Sequence, residues 1–204
     1  FSLGINGQVQ FEEPADIETM EKLHFFKIVF EESDKLIRSK NRAIQPAKIE
    51  INTNDFYSAD QQNKYGFGSS AAMTVALTKA LLSSTDLLSE FTEQKFFQIA
   101  FQIHRKAQNN LGSGIDVAAS VYGNVLTYQL SEENGLLNGN CQPQDLWKEI
   151  NVIPIWAGHS TSTREMVRNV DTFKESSPQM FDQIMSELTK CSEKGCVSYI
   201  DKDK

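Results

Sequence analysis

Two glycines followed by two serines stand directly before a helical pattern, an arrangement typical of anion-binding turns. The stretch reads GFGSSAA over residues 66–72, and apolar residues then recur at helical spacing. Gly66 and Gly68 permit a tight turn that approaches a ligand closely. The helix N–H groups and the positive end of the helix dipole favour an anion, and the hydroxyls of Ser69 and Ser70 can bind phosphate oxygens or a metal ion. The spacing fits neither Walker A nor the dinucleotide fingerprint, and a serine-capped turn without a ligand remains an alternative.

A carboxylate follows a second flexible turn. Residues 112–119 read GSGIDVAA, so Asp116 comes just after a Gly-Ser-Gly turn. Such a carboxylate can face a ligand and accept a hydroxyl proton. The alternative is an Asp116 side chain that caps the short helical turn after it.

A third segment collects hydroxyl and cationic side chains behind a predicted strand. Residues 156–164 read WAGHSTSTR. This composition suits a bound phosphate or carboxylate. The alternative is a loop of Ser and Thr residues that caps a helix beginning at Arg164.

Apolar periodicity predicts the elements that position these segments. The predicted helices are 16–37, the run after Ser70, 93–108 with Thr92 as its cap, and a last helix that begins at Ser177 and Pro178. The predicted strands lie within residues 1–11, 46–52, 121–130 and 150–156. Residues 131–145, rich in Asn, Gly, Gln and Pro, are the predicted linker between two lobes. Helices and strands interleave without a steady βαβ rhythm, so the predicted class is α+β.

Composition narrows the function classes. The chain has 204 residues and a formal charge of −7, which disfavours nucleic-acid and membrane-surface partners. No apolar run reaches the length of a membrane span, and the first residues do not resemble a signal peptide. Three cysteines are too few for a disulfide scaffold. We therefore expect a cytoplasmic protein.

Taken together, the segments resemble the GHMP kinases. KYGFGSSAAMTVALTKALL is similar to the glycine-rich phosphate loop and helix of that family, and GSGIDVAASVYG is similar to the segment that holds its catalytic aspartate. Within the family, this combination is closest to the phosphomevalonate kinases. The resemblance is clear over about residues 60–170.

The resemblance implies a two-lobe fold. Residues 1–145 would form the N-terminal lobe, like ribosomal protein S5 domain 2, and residues 146–204 would start a ferredoxin-like C-terminal lobe. The lysine-containing first motif of the family is expected before Phe1 and its glycine-rich third motif after Lys204. We therefore expect the chain to be part of a longer protein.

The resemblance also assigns roles to residues. It implies an ATP-dependent and Mg²⁺-dependent phosphotransferase of the mevalonate pathway that acts on phosphomevalonate, with Asp116 as the catalytic aspartate. The residues implied for ATP phosphates are Gly66, Gly68, Ser69, Ser70 and Ala71, with Ser70 also the metal ligand. The residues implied for the acceptor are Ser113, Gly114, Thr161, Ser162 and Thr163.

One stretch departs from the mevalonate kinase pattern. Those enzymes supply a magnesium-binding glutamate from the helix before the aspartate, whereas residues 104–108 here read HRKAQ. Either Ser70 and phosphate oxygens hold the metal, or the metal site is weak. Two other readings stay open: a mevalonate kinase, favoured by Arg164 beside Thr163, and a non-catalytic ligand sensor. A homodimer is also left open.

Overall fold

The computed structural model describes residues 1–3, 7–11, 17–59, 63–133, 135–156 and 163–201. In chain order the elements are β1 (Ser2–Leu3), β2 (Val9–Gln10), α1 (Ile17–Ser39), α2 (Ser69–Ser84), α3 (Glu93–Ala107), α4 (Ile115–Tyr122), β3 (Val125–Glu133), β4 (Leu136–Gln144), α5 (Thr163–Ser176) and α6 (Pro178–Ile200). Strands β1 and β2 pair antiparallel, and β3 pairs with β4. The predicted α+β class is confirmed.

The chain divides into two compact units, Phe1–Pro143 and Gln144–Lys204. In the first unit, α1 packs against α2 and α3, while α4 packs against α2 and α3. In the second unit, α5 and α6 meet through the rings of Phe173 and Phe181. The assignment of the units to two family lobes stays a prediction. Among the described helices, none is long and apolar enough to cross a membrane.

Helices α1 and α3 follow the predicted amphipathic patterns. Phe26, Phe30 and Ile37 of α1 are buried, as their spacing predicts. Helix α3 begins after Thr92, whose side-chain oxygen accepts a 3.2 Å hydrogen bond from the Lys95 N–H. This cap satisfies one of the first backbone donors of the helix. The apolar face of α3 then enters the core and includes Phe96, Phe97, Ala100, Phe101 and Ile103.

Two predicted strands are wrong. Residues 46–52 and 150–156 form no strand, because no described segment supplies a hydrogen-bonded neighbour for either of them. Alternating apolar residues indicate a face, but a strand also needs a partner ladder. The apolar side chains of Ile51, Ile153 and Ile155 accordingly remain exposed.

The region from residue 121 to residue 145 also differs from the prediction. Val121 and Tyr122 belong to α4, and the positive φ angles of Gly123 and Asn124 separate this helix from β3. The predicted linker instead contains β4, which runs through Gly139. Its composition indicated turns, but the side chains of α3 hold this strand by tertiary contacts.

Candidate active site

The glycine-rich turn lies at the first residue of α2. Gly68 is the N-cap residue with φ = 67°, a left-handed conformation that favours glycine. The Ala72 N–H donates to the Gly68 carbonyl at 3.0 Å, so the N–H groups of Ser69, Ser70 and Ala71 precede the helical ladder. A helix N-terminus with this geometry favours an anion.

The turn of α2 and the start of α4 lie against each other. Asp116 is in the first turn of α4, and its side chain is exposed. A Cβ built on Gly68 would lie 3.3 Å from both the Cβ and the Cγ of Asp116. The structure therefore brings the predicted catalytic carboxylate beside the predicted phosphate loop. The N-cap of α4 is Gly114, and Asp116 is two residues further on.

Packing holds the Gly-Ser-Gly turn in place. Gly114 has φ = 81°, and a Cβ there would come within 2.3 Å of the buried Phe101 ring. The Tyr128 hydroxyl donates a short hydrogen bond to the Ser113 carbonyl. Burial raises the pKa of Tyr128 to about 12, so the hydroxyl keeps its proton at neutral pH. Ser113 is exposed and Gly114 is buried.

The Ser70 hydroxyl meets the side chains of His104 in α3 and of Gln108, the C-cap residue of that helix. Its Oγ lies 3.4 Å from His104 Nε2 and 3.5 Å from Gln108 Nε2. His104 is 5% exposed, and its ring meets Phe25 edge to face at a centroid distance of 5.7 Å. Burial lowers the pKa of His104 below its usual value, while the nearby Asp116 carboxylate opposes this shift.

A cavity of about 850 Å³ opens beside Ser69 and Ser70. This volume is within the range of small-molecule sites. Its apolar wall includes Phe25, Phe26, Ile49, Ile51 and Met73, and its polar lining includes Thr53, Asn54, Tyr57 and Lys64.

Lys64 contributes a positively charged side chain to the lining of this cavity. Burial lowers the pKa of its ammonium group below the usual value. Among the described residues, no carboxylate forms an ion pair with it. A half-buried ammonium group gains from an anionic ligand, because an opposite charge offsets the loss of water.

The third predicted segment lies largely outside the described residues. Thr161 and Ser162 fall in the undescribed stretch 157–162. Thr163 is the first residue of α5, but its side chain is also outside the description. The predicted roles of these three residues stay predictions.

The oxygen donors near the turn fit a magnesium ion held jointly with ligand phosphates. Magnesium usually takes one or two protein oxygens, retains waters and binds substrate phosphates. The Ser70 hydroxyl and the Asp116 carboxylate are such donors. Among the described residues, no group of three or more His, Cys, Asp or Glu side chains could hold a metal alone.

Sequence reasoning missed three residues of this region. Lys64 stands two residues before Gly66, at the start of the resembling motif. His104 and Gln108 are four residues apart, so they share a helix face. That spacing indicates that the two side chains lie on the same side of the helix. The contact of this side with Ser70 depends on how α3 packs against α2, which the spacing does not indicate.

Comparison with known proteins identifies one family and several similar sequences. Residues 25–124 match the family described as GHMP kinases N terminal domain. The chain is 27% identical over 142 residues to the mevalonate kinase of Pyrococcus abyssi, which is 68% of this chain and 39% of that protein. It is 41% identical over 81 residues to the peroxisomal phosphomevalonate kinase of Arabidopsis thaliana, which is 34% of this chain and 16% of that protein.

A third relative is the phosphomevalonate kinase erg8 of Aspergillus fumigatus, at 35% identity over 74 residues. That match is 35% of this chain and 15% of the relative. The chain thus spans well under half the length of these relatives. No solved structure matches the chain significantly.

Proposed function

We propose that the chain is part of an ATP-dependent kinase that phosphorylates phosphomevalonate, since residues 25–124 belong to the GHMP kinase family as its N-terminal domain. The observation that supports this proposal best is the contact between Asp116 and Gly68. It places a carboxylate beside the proposed phosphate-binding turn, where the carboxylate could position the acceptor for phosphoryl transfer.

ATP would lie across the start of α2. Its phosphates would accept hydrogen bonds from the N–H groups of Ser69, Ser70 and Ala71, next to the glycines of the turn. The adjoining cavity has apolar side chains on one wall and is large enough for a base and ribose. Lys64 lines the same cavity and would add a cationic contact. Gly66, with φ = 80°, would let the backbone curve around the phosphates.

Mg²⁺ would be held by the Ser70 hydroxyl together with phosphate oxygens. When bound, the ion would neutralise negative charge on the ATP phosphates during transfer of the γ-phosphate. The residues of the chain then supply position and hydrogen bonds, on which phosphoryl transfer chiefly depends.

Asp116 would orient the acceptor beside the γ-phosphate. An acceptor phosphate is already ionised, so the carboxylate would position it without taking a proton. An alcohol acceptor would instead transfer its proton to the Asp116 carboxylate. Ser113 and Gly114 lie three and two residues before Asp116 in the sequence and would also contact the acceptor. Thr161, Ser162 and Thr163 complete the proposed acceptor contacts by resemblance alone.

Mevalonate is the second candidate acceptor. The match to the Pyrococcus abyssi mevalonate kinase covers 68% of this chain, against 34% for the Arabidopsis thaliana phosphomevalonate kinase. The shorter match has the higher identity, and it supports phosphomevalonate as the first choice.

The test is acceptor-dependent release of ADP by the full-length protein. Phosphomevalonate, mevalonate and a no-acceptor control would be compared at saturating ATP and magnesium. We expect the highest kcat/KM with phosphomevalonate. A preference for mevalonate would assign the second candidate. Nucleotide binding with no turnover of any acceptor would indicate a ligand sensor and contradict the proposed kinase.

A further inference from the structure

Two side chains at the C-terminal end of α3 contact the Ser70 hydroxyl from one side, His104 in the last turn and Gln108 at the C-cap. His104 and Gln108 lie one helical turn apart, and each directs a nitrogen at the same oxygen, at 3.4 and 3.5 Å. The His104 ring is 5% exposed and packs against Phe25, so packing fixes its orientation. Ser70 therefore meets a fixed polar surface beneath the phosphate loop.

The hydrogens and lone pairs of these groups determine what Ser70 can still bind. A serine hydroxyl has one hydrogen and two lone pairs. The Gln108 amide nitrogen is only a donor, so it uses one lone pair of Ser70 Oγ. His104 Nε2 can accept the Ser70 hydrogen when the ring proton is on Nδ1. One lone pair of the hydroxyl then remains, and an oxygen lone pair is what a hard cation requires.

We infer that His104 and Gln108 are positioning residues that orient the Ser70 hydroxyl and leave one oxygen lone pair for the magnesium of bound nucleotide. This inference rests on the proposed function. It explains how a site whose helix lacks the expected carboxylate at residues 104–108 still presents an oriented oxygen to the metal. Groups that orient a metal ligand typically affect metal affinity by about 10- to 100-fold.

If His104 has only a structural role, the binding measurements should give a different result. A ring that only fills the core beside Phe25 would affect stability, and its loss would weaken nucleotide binding equally with and without magnesium. If His104 positions Ser70, its loss should weaken only the magnesium-dependent part of nucleotide binding. The two roles therefore separate in binding measurements, without any measurement of turnover.

The experiment is calorimetric binding of ADP to the full-length protein, in magnesium and in EDTA. The variants are His104→Phe, Gln108→Leu and Ser70→Ala, and the matched control is His24→Phe, whose side chain is exposed on α1. For the three variants we expect the Kd of Mg–ADP to rise about 10- to 100-fold. The Kd in EDTA should stay close to wild type, and the control should be unchanged in both conditions.

A double variant tests whether the residues act as one unit. Ser70→Ala with His104→Phe should bind Mg–ADP no more weakly than Ser70→Ala alone, because the oriented oxygen is already gone. Additive losses, or equal losses in EDTA, would overturn the inference while leaving the proposed function intact. Wild-type protein that binds no ADP would overturn the proposed function and the inference with it. Melting curves identify any unfolded variant, and Gln108→Leu makes the same test if His104→Phe does not fold.

Discussion

The Asp116 side chain occupies the space next to Gly68 that a larger residue would need. A Cβ on Gly68 would stand 3.3 Å from the Asp116 Cβ and Cγ, which is closer than ordinary van der Waals contact. The turn of α2 and the carboxylate of α4 therefore constrain each other. A substitution that separates them should lower the rate of the proposed reaction before it lowers the stability of the fold.

Gly68→Ala tests this constraint. The added methyl group must displace Asp116 or the turn, and a displacement of about 1 Å can lower a rate by on the order of 10². We expect kcat to fall by about that factor in a steady-state assay of the full-length protein. Gly135→Ala is the control, because Gly135 has a similar φ of 76° and nothing within 4 Å of its added Cβ. Equal kcat losses in both variants would show that backbone conformation, and not the contact with Asp116, is responsible.

Gly114→Ala should mainly affect stability. Its Cβ would overlap the Phe101 ring at 2.3 Å, and its φ of 81° is unfavourable for alanine. Overpacking and left-handed strain together cost about 2–5 kcal/mol. Chemical denaturation should show a loss of this size, whereas Gly135→Ala, with φ = 76° and nothing within 4 Å of its added Cβ, should lose only about 1–2 kcal/mol from strain. Similar losses for both would mean that the Phe101 ring moves freely.

Lys64→Met tests the cationic side of the cavity. The substitution keeps an apolar chain of similar length and removes the charge. A hydrogen bond to a charged group contributes about 1.5–3 kcal/mol, so nucleotide Kd should rise roughly 10- to 100-fold. The control is Lys95→Met, which changes an exposed residue of α3. Unchanged nucleotide affinity in Lys64→Met would place the nucleotide elsewhere.

Thr163→Ala tests the acceptor contacts that the resemblance implies. The variant should raise the KM for the acceptor and leave the KM for ATP nearly unchanged, since it removes a contact to one ligand. Initial-rate kinetics with each substrate varied in turn gives both values. An equal rise in both would show that residue 163 shapes the whole cleft.

The helices that position the site were predictable because their signals are local. Thr92 and the apolar stripe of α3 lie within one segment, and the structure contains both the cap and the buried face. The glycines before α2 likewise predicted a turn at the start of that helix. The α+β class followed from the same local patterns.

The contacts of the proposed site depend on tertiary packing. The closeness of Asp116 to Gly68 required α4 to pack against α2, which the residue pattern alone does not determine. Strand β4 was predicted as a linker because its composition favours turns. The structure instead contains hydrogen bonds from the Gln94 and Gln98 side chains to the Gly139 carbonyl, at 3.1 and 2.7 Å. Local composition carries no information about such contacts.

The most direct test of the proposed kinase is the rate of phosphoryl transfer in Asp116→Asn. This change keeps the size of the side chain and removes its charge. We expect ATP affinity and melting temperature to stay near wild type, while kcat falls by about 10² to 10⁴. The loss should be near the low end for phosphomevalonate, whose phosphate needs no base, and near the high end for mevalonate. Full activity in Asp116→Asn, or unfolding of the variant, would show a structural aspartate and contradict the account.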